Sequence, residues 1–292
     1  MRICVYELDA IFGSYMQFSA KRGNTVKKYL KWGLGTLAVV LLAGYGGLQY
    51  LLAQPEPEGF PILEYHMVQA EDPEDAYEYN VPVEDFRQQL DYLEEQGYTT
   101  ISIRDFLRAK KGLQELPEKP VILTFDDGYE SNYTELLPIL EERGMKATVF
   151  MVANSIGRDK YLSWEQLKDM QHRGIEIGSH TANHLPLTEM DMETARNEVK
   201  LSKLLMEWNG VDTIYTLSYP NGKYTTELRE MLKEEEYLAA VTGDAGLNTL
   251  DTDTYQLQRI NIPHPSFGIE EFKWRLIKGR IFAQLGIAQH KI

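Results

Sequence analysis

The sequence of 292 residues contains a single cysteine, Cys4. One thiol excludes a disulfide framework and a zinc site built from several thiolates, because both need more than one cysteine. Basic residues are also scarce, with 30 Lys and Arg against 44 Asp and Glu, and the net charge is −14. Proteins that bind nucleic acid present a basic face to phosphate. The acidic balance therefore argues against nucleic acid as a partner.

Charged residues are absent from residues 32–53, a run of 22 that reads WGLGTLAVVLLAGYGGLQYLLA. About 20 apolar residues are needed to cross a bilayer. The preceding residues 1–31 form a basic tail, which by the positive-inside bias stays in the cytoplasm. We therefore predict a single-pass anchor in the cell membrane, with the remainder of the chain extracytoplasmic. The alternative is a cleaved signal segment, in which case the protein is secreted.

A linker rich in proline and glutamate, residues 54–60, precedes one predicted domain over residues 61–292. In this domain, short apolar runs alternate with runs of helical periodicity. Such alternation predicts an α/β fold with a parallel sheet and covering helices, as a barrel or an open sheet. The predicted strands are 61–68, 121–125, 146–152, 175–180, 213–220, 238–243 and 257–263. The predicted helices are 83–98, 133–143, 163–174, 190–208 and 225–235.

Polar residues follow three of the predicted strands, at the end where parallel α/β folds gather their chemistry. Asp126 and Asp127 end an apolar run and precede a glycine. Because side chains alternate across a strand, the two carboxylates are expected to point in different directions. His180 and His184 follow the strand 175–180, and the stretch SYPNGKY begins at Ser218.

Two histidines four residues apart, with one carboxylate, form a recurring ligand set for zinc or another divalent metal. Each signal alone is weak, because Asp-Asp-Gly is common in turns and two such histidines are often simply solvated. Both follow apolar strands here, so they are able to converge on one face of the fold. A closed structural metal site is the weaker alternative, since such sites use four protein ligands.

The stretches ILEYHMV, TFDDGYESNY, SHTANH and YPNG together resemble the polysaccharide deacetylases, the NodB-homology carbohydrate esterases of family four. The resemblance covers nearly all of the predicted domain. It implies a distorted (β/α) barrel of about seven strands and the metal-assisted hydrolysis of N-acetyl groups. The early Tyr-His pair is similar to the subgroup that deacetylates poly-β-1,6-N-acetylglucosamine.

The resemblance also implies a role for each residue that matches a family motif. Asp127, His180 and His184 would hold one divalent metal, with zinc expected and Co, Ni or Mn as alternatives. Asp126 would be the general base, because a carboxylate close to the metal but not bound to it can take a proton from water. The backbone N–H of Asn221 would stabilise the oxyanion of the tetrahedral intermediate.

The sequence departs from the family pattern in two places. The third motif has Ser218 where the family has the arginine that braces the base. Arg259, on another predicted strand, is expected to supply that charge, and a surface ion pair is the alternative. The late histidine of the family has its nearest match in His264, but His66 of the early Tyr-His pair is the preferred general acid.

The loop after Ser218 and the residues after Asp127 supply the candidates for substrate binding. Pro220 is expected to shape the loop. Tyr219 and Tyr129 are candidates to line a sugar groove, because an aromatic face suits a pyranose ring. The alternative is that both tyrosines pack against the loop.

The leading hypothesis is a monomeric, metal-dependent enzyme that removes N-acetyl groups from an N-acetylglucosamine-containing surface polysaccharide, either an exopolysaccharide or peptidoglycan. An O-acetyl esterase acting on a polysaccharide such as xylan is the alternative within the same chemistry. A non-catalytic polysaccharide-binding surface protein is the alternative from another class. The complete set of Asp126, Asp127, His180 and His184 argues against that last reading.

Overall fold

The computed structural model describes residues 39–51, 53–54, 57–70 and 77–285. The chain divides between residues 55 and 56 into two units. In the first unit, residues 39–51 form a helix, α1. The predicted basic tail 1–31 lies outside the described residues, as do parts of the predicted anchor 32–53 and linker 54–60. The predicted domain boundaries therefore stay predictions.

Within the described part of the chain, no helix is both long enough and apolar enough to span a membrane. The anchor over residues 32–53 therefore remains a prediction from the sequence.

The second unit is built on a parallel sheet of eight strands in the order β10-β1-β5-β6-β7-β8-β9, with β4 paired beside β5. A separate pair, β2 and β3, follows the first strand. The strands are β1 Ile62–Tyr65, β2 Met67–Val68, β3 Asn80–Val81, β4 Thr99–Thr100, β5 Pro120–Phe125, β6 Thr148–Met151, β7 Glu176–Ser179, β8 Thr216–Ser218, β9 Ala239–Val241 and β10 Ile260–Asn261.

Helices connect successive strands, as the alternating pattern predicts. They are α2 Val83–Glu95, α3 Ile103–Lys110, α4 Leu137–Glu142, α5 Trp164–His172, α6 Met192–Trp208, α7 Thr226–Glu234 and α8 Ile269–Leu285. The predicted cap at Ser163 is confirmed: its side chain accepts a hydrogen bond from the backbone of Gln166, which reciprocates.

The predicted helix 133–143 begins differently from the prediction. Residues Asn132–Leu136 form a π-helical turn, and α4 follows directly. The physical reason is Pro138, which has no N–H and whose ring crowds the carbonyl four residues earlier. The Leu137 N–H bonds instead to the Asn132 carbonyl, five residues back, so the wider turn absorbs the proline.

The predicted barrel of about seven strands is confirmed in part. Seven parallel strands form one hydrogen-bonded path, but the path is open between β9 and β10. One isolated parallel bridge, Val241 to Leu257, spans that opening. Residues 257–261 therefore contact β9 at their start and β1 at their end, where Ile260 pairs with Leu63. This arrangement brings Arg259 to the interior.

Alternation along the strands sorts the side chains into two layers. Leu63, Val121 and Leu123 belong to the large apolar cluster, whereas Ile62 and Ile122 belong to a smaller, separate one. The residues in step with Ile62 and Ile122 become polar toward the carboxyl end of the sheet. On β1 and β5, this face of the sheet therefore changes from apolar to polar toward the carboxyl end.

The opposite end of the sheet holds a buried acid, Glu176. Its Oε2 accepts hydrogen bonds from Ile103 N at 3.0 Å and from Thr148 Oγ1 at 2.9 Å. Its Oε1 has no hydrogen-bond partner among the residues that the structure describes. Burial, only partly offset by these bonds, raises the pKa of Glu176 to about 7. The folded state therefore favours the protonated form.

A group whose pKa is higher in the folded state stabilises the fold at pH values below its pKa in the unfolded chain. This stabilisation is lost as the pH rises through the pKa of the folded state. We predict that the free energy of unfolding of the wild type decreases between about pH 4.3 and 7, by up to about 3 kcal/mol, compared with that of Glu176→Gln. Denaturant unfolding at pH 5 and pH 8 measures this difference. The exposed control Glu115→Gln should show the wild-type pH dependence, and a wild-type curve parallel to that of Glu176→Gln would contradict the prediction.

Candidate active site

The two aspartates of the Asp-Asp-Gly sequence occupy different environments at the end of β5. Register places Tyr65 beside Phe125, so His66 and Asp126 are the next pair along the two strands. Asp126 N donates to Tyr65 O at 2.9 Å. Asp126 is buried, whereas Asp127 is partly exposed and has a left-handed backbone with φ of 72°. The turn separates the neighbouring carboxylates, as alternation predicts.

Gly128 is required by the same turn. Its φ is 77°, and a Cβ at this position would lie 2.0 Å from the Met151 sulfur. A side chain here would therefore be strained by the left-handed backbone and would displace the buried Met151 side chain. This glycine allows Asp127 to turn back toward the histidines.

Asp127, His180 and His184 form the first cluster at the site. Their ligand atoms all lie within 4.8 Å of one another. The Nε2 atoms of His180 and His184 lie 3.7 Å and 3.6 Å from Asp127 Oδ1. Two nitrogen donors and one carboxylate oxygen therefore converge on one point, which is the donor set predicted from the sequence.

The protonation of the two histidines suits a metal ligand. His180 Nδ1 lies 2.8 Å from the Ser218 carbonyl, an acceptor, so Nδ1 carries the proton and Nε2 is left with its lone pair. Burial, together with His180, lowers the pKa of His184 and favours its neutral ring. Neutral imidazole is the form that binds a metal. The cluster therefore fits a divalent ion by its donors as well as by its spacing.

Asp126 is held by a buried arginine. Arg259 Nη1 and Nη2 each donate to one Asp126 oxygen at 2.9 Å, in a bidentate pair. Ser218 Oγ donates to Asp126 Oδ2 at 2.9 Å and accepts from Arg259 Nη2 at 3.1 Å. Arg259 is only 1% exposed, which excludes the alternative of a surface ion pair.

The buried pair fixes the charge of Asp126. Burial alone would raise its pKa, but the guanidinium of Arg259 outweighs burial and holds the pKa of Asp126 well below its ordinary value. Asp126 is therefore ionised throughout the physiological pH range. Its Oδ2 lies 3.8 Å from His180 Nε2, so the carboxylate stands beside the metal-type cluster.

These groups line one cleft of about 350 Å³. Of the predicted site residues, His66, Asn221 and Tyr129 also line it. His66 belongs to a second close group with Glu64 and Asp126, whose ligand atoms lie within 4.8 Å of one another. The structure thus places the preferred general acid beside the predicted base.

Two predicted residues lie elsewhere than expected. His264 does not line the cleft in the described part of the chain; its ring packs on Tyr77 with centroids 5.2 Å apart. Tyr219 borders the cleft but is fully buried, so its ring is not available to stack on a sugar. The packing alternative for Tyr219 is correct, because its ring stacks on Tyr224.

The loop after Tyr219 begins at Pro220, the residue that was expected to shape it. Pro220 is buried and opens a short turn, and Asn221 follows with φ of 58°. Gly222 has φ of 71°, and a Cβ there would lie 2.4 Å from the Gly243 backbone. The loop is therefore pressed against β9, with Asn221 at the cleft.

Sequence reasoning missed several residues that line the cleft, and Glu64, Tyr79 and Tyr161 are among them. Glu64 is buried, and its Oε1 lies 3.5 Å from Arg259 Nη2. Alternation was a usable signal for Glu64, since it is in step with His66 on β1. Tyr161 stacks on Tyr129 with centroids 5.3 Å apart, but no sequence signal indicated either added tyrosine.

The parallel α/β sheet carries its histidines and carboxylates at the carboxyl end, where enzymes of this fold class place their catalytic residues. Comparison with known proteins identifies the family. The sequence profile of the family described as polysaccharide deacetylase matches residues 113–240. YxkH of Bacillus subtilis, named as a polysaccharide deacetylase, is 33% identical over 207 residues, or 71% of this chain and 72% of YxkH. The chain belongs to the polysaccharide deacetylase family.

Two further relatives extend the comparison. The poly-β-1,6-N-acetyl-D-glucosamine N-deacetylase of Staphylococcus epidermidis is 23% identical over 269 residues, covering 80% of this chain and 92% of that enzyme. Among solved structures, the Streptococcus pyogenes deacetylase PplD, in complex with acetate, matches with a TM-score of 0.68 and 28% identity. The match covers 77% of this chain and 99% of PplD. The protein is an enzyme of the polysaccharide deacetylase class.

Removing Arg259 leaves the Asp126 carboxylate buried without its counter-charge. We predict that Arg259→Ala lowers the free energy of unfolding by about 3–5 kcal/mol, measured by denaturant titration. The control Arg173→Ala removes an arginine that pairs with Glu141 and Asp169 at the surface. Its cost should be much smaller, because an exposed ion pair contributes little to stability. Equal effects of the two substitutions would contradict the assignment of the buried pair.

Proposed function

We propose that the protein is a metal-dependent hydrolase that removes N-acetyl groups from an N-acetylglucosamine-containing polysaccharide. The observation that carries the proposal is the position of Asp126: ionised, braced by Arg259 and 3.8 Å from the cluster of Asp127, His180 and His184. The name of the Staphylococcus epidermidis relative supports an N-acetylglucosamine polymer as the substrate.

Asp127, His180 and His184 would hold the divalent ion. Zinc suits this set of two imidazoles and one carboxylate, and Co, Ni or Mn accept the same donors. A bound ion of this kind polarises the acetyl carbonyl and acidifies water at the site. The hydrogen bond between His180 and the Ser218 carbonyl keeps the His180 ring oriented for this task.

The protein's own groups then divide the proton transfers. Asp126 takes a proton from the water that attacks the acetyl carbon. The Asn221 N–H stabilises the oxyanion that forms on the former carbonyl oxygen. His66 donates a proton to the sugar nitrogen as the carbon–nitrogen bond breaks. Acetate and a free amine on the sugar are the products.

The location of the enzyme is a further part of the proposal. The uncharged run 32–53, preceded by a basic tail, supports a single-pass membrane protein whose catalytic domain is extracytoplasmic. The protein would be secreted if the segment were cleaved. We further propose that it acts as a monomer on a cell-surface polymer, either an exopolysaccharide or peptidoglycan.

Substitutions in the site should separate metal binding from proton transfer. We predict that Asp127→Ala and His180→Ala abolish both bound metal and acetate release, because each removes one of only three ligands. Asp126→Asn should retain the metal and lose turnover by about 100-fold or more, because the amide cannot take the proton. Metal content by elemental analysis and acetate release from poly-N-acetylglucosamine and peptidoglycan measure the two effects.

The outcomes of that experiment test the role of Asp126, the type of acetyl group removed and the catalytic activity separately. Retained turnover in Asp126→Asn would refute its role as base. Acetate release from acetylated xylan, with none from either amide polymer, would identify an O-acetyl esterase instead. Metal binding with no acetate release from any polymer would favour a non-catalytic polysaccharide-binding protein.

The two candidate acids should differ sharply in activity. We predict that His66→Ala lowers kcat by about 100-fold or more, because it removes the proton donor beside Asp126. His264→Ala should leave kcat within about 3-fold of wild type, since its ring packs outside the cleft. Steady-state acetate release tests both variants, and similar losses of kcat in the two would overturn the choice of His66.

A further inference from the structure

Two tyrosines on the short helix Tyr77–Tyr79 are exposed, and one of them, Tyr79, lines the cleft. The exposed fraction is 55% for Tyr77 and 44% for Tyr79. The Tyr79 ring lies on His66, with centroids 4.9 Å apart, and lines the cleft. The Tyr77 ring lies on His264 at 5.2 Å, and in the described part of the chain both are outside the cleft lining. An exposed ring outside the cleft lining thus stands two residues along the chain from a ring that lines the cleft.

This helix is held in place on both sides. The His264 N–H donates to the Glu78 carbonyl at 3.0 Å, which ties the turn to the segment after β10. The next residue, Asn80, pairs with Met67 in the ladder of β2 and β3. The Asn80 side chain also exchanges hydrogen bonds with the Gln69 backbone at 3.1 Å and 3.3 Å. A ligand on these rings would therefore not have to order the turn.

Exposed aromatic rings that extend a binding cleft suit one kind of ligand here. A pyranose ring has a flat face of C–H groups that packs on an aromatic ring, with its hydroxyl groups at the edge. The Cα atoms of residues two apart along the chain are at most about 7 Å apart, so both rings extend from one short stretch of backbone. Other exposed rings, such as Trp208 at 77%, lie apart from the cleft, and isolated exposed rings are ordinary.

We propose that Tyr77 and Tyr79 form a carbohydrate subsite beside the reacting sugar, with His264 supporting the Tyr77 ring. The inference rests on the proposed function and extends it. Tyr79 contacts the unit next to His66, and Tyr77 contacts the neighbouring unit of the same polymer. The enzyme thus binds internal stretches of a chain and gains affinity from sugars that do not react.

Chain length provides the test. The metal-loaded full-length protein and its variants are assayed for acetate release from the mono-, tri- and pentasaccharide of N-acetylglucosamine. Tyr77→Ala should lower kcat/KM for the pentasaccharide by about 3- to 10-fold, chiefly through KM, with a smaller loss for the monosaccharide. Tyr77→Phe keeps the ring and should restore most of the loss. Trp208→Ala removes a more exposed ring that does not line the cleft, and it should match wild type at every length.

The results distinguish the subsite from the function on which it rests. If wild type releases acetate but Tyr77→Ala loses nothing, or loses equally at all lengths, the subsite is wrong and the function stands. If wild type releases no acetate, the proposed function fails, and binding of the pentasaccharide to Asp126→Asn by calorimetry decides the subsite. If the double variant Asp126→Asn/Tyr77→Ala binds the pentasaccharide about 3- to 10-fold more weakly than Asp126→Asn, the subsite is upheld. Unchanged affinity, or no binding at all, overturns it.

Discussion

The bidentate pair between Asp126 and Arg259 is the interaction on which the site depends. A carboxylate buried at the end of β5 would be costly without a partner. Arg259 is that partner: its Nη1 and Nη2 each donate to an oxygen of Asp126 at 2.9 Å. Its Nε donates to the Thr242 carbonyl at 3.0 Å. Ser218 completes the arrangement because its small side chain leaves room for the guanidinium and bonds to both charges. An ionised base can therefore exist inside the sheet.

The same pair explains why two neighbouring aspartates have different environments. Asp126 has both oxygens engaged by Arg259 and Ser218, and it is buried. Asp127 turns through a left-handed backbone toward His180 and His184 and is partly exposed. One carboxylate is therefore fixed as a charge, and the other is available as a ligand. The environments, rather than the residue types, separate the two roles.

The parts of the site that lie on strands could be predicted from the sequence, because side chains alternate between the two faces of a strand. Alternation and the strand ends indicated Asp126, Asp127 and His180, and the same alternation was sufficient to include Glu64. The family resemblance was needed for Arg259, because the pairing of the last strand beside the first depends on tertiary contacts that no local pattern encodes. The open path between β9 and β10 was not predicted for the same reason.

The loops could be predicted less well. Tyr219 and Tyr129 have similar sequence settings, yet one ring is fully buried and the other lines the cleft. Whether a loop tyrosine faces solvent depends on the residues that pack on it. Tyr219 stacks on Tyr224, and Tyr129 stacks on Tyr161. His264 matched the family by position in the sequence, but its ring packs on Tyr77 instead. Loop side chains take their direction from packing rather than from periodicity.

The position of Arg259 late in the chain has a consequence for how the enzyme comes into being. Asp126 and its counter-charge are 133 residues apart in sequence, and they meet only when residues 257–261 dock between β9 and β1. Closing a loop between such distant residues costs conformational entropy, which a pair of residues on one strand does not incur. The charge that offsets the buried Asp126 therefore depends on the docking of residues 257–261, whereas Asp127, His180 and His184 come from β5, β7 and the turns that follow them.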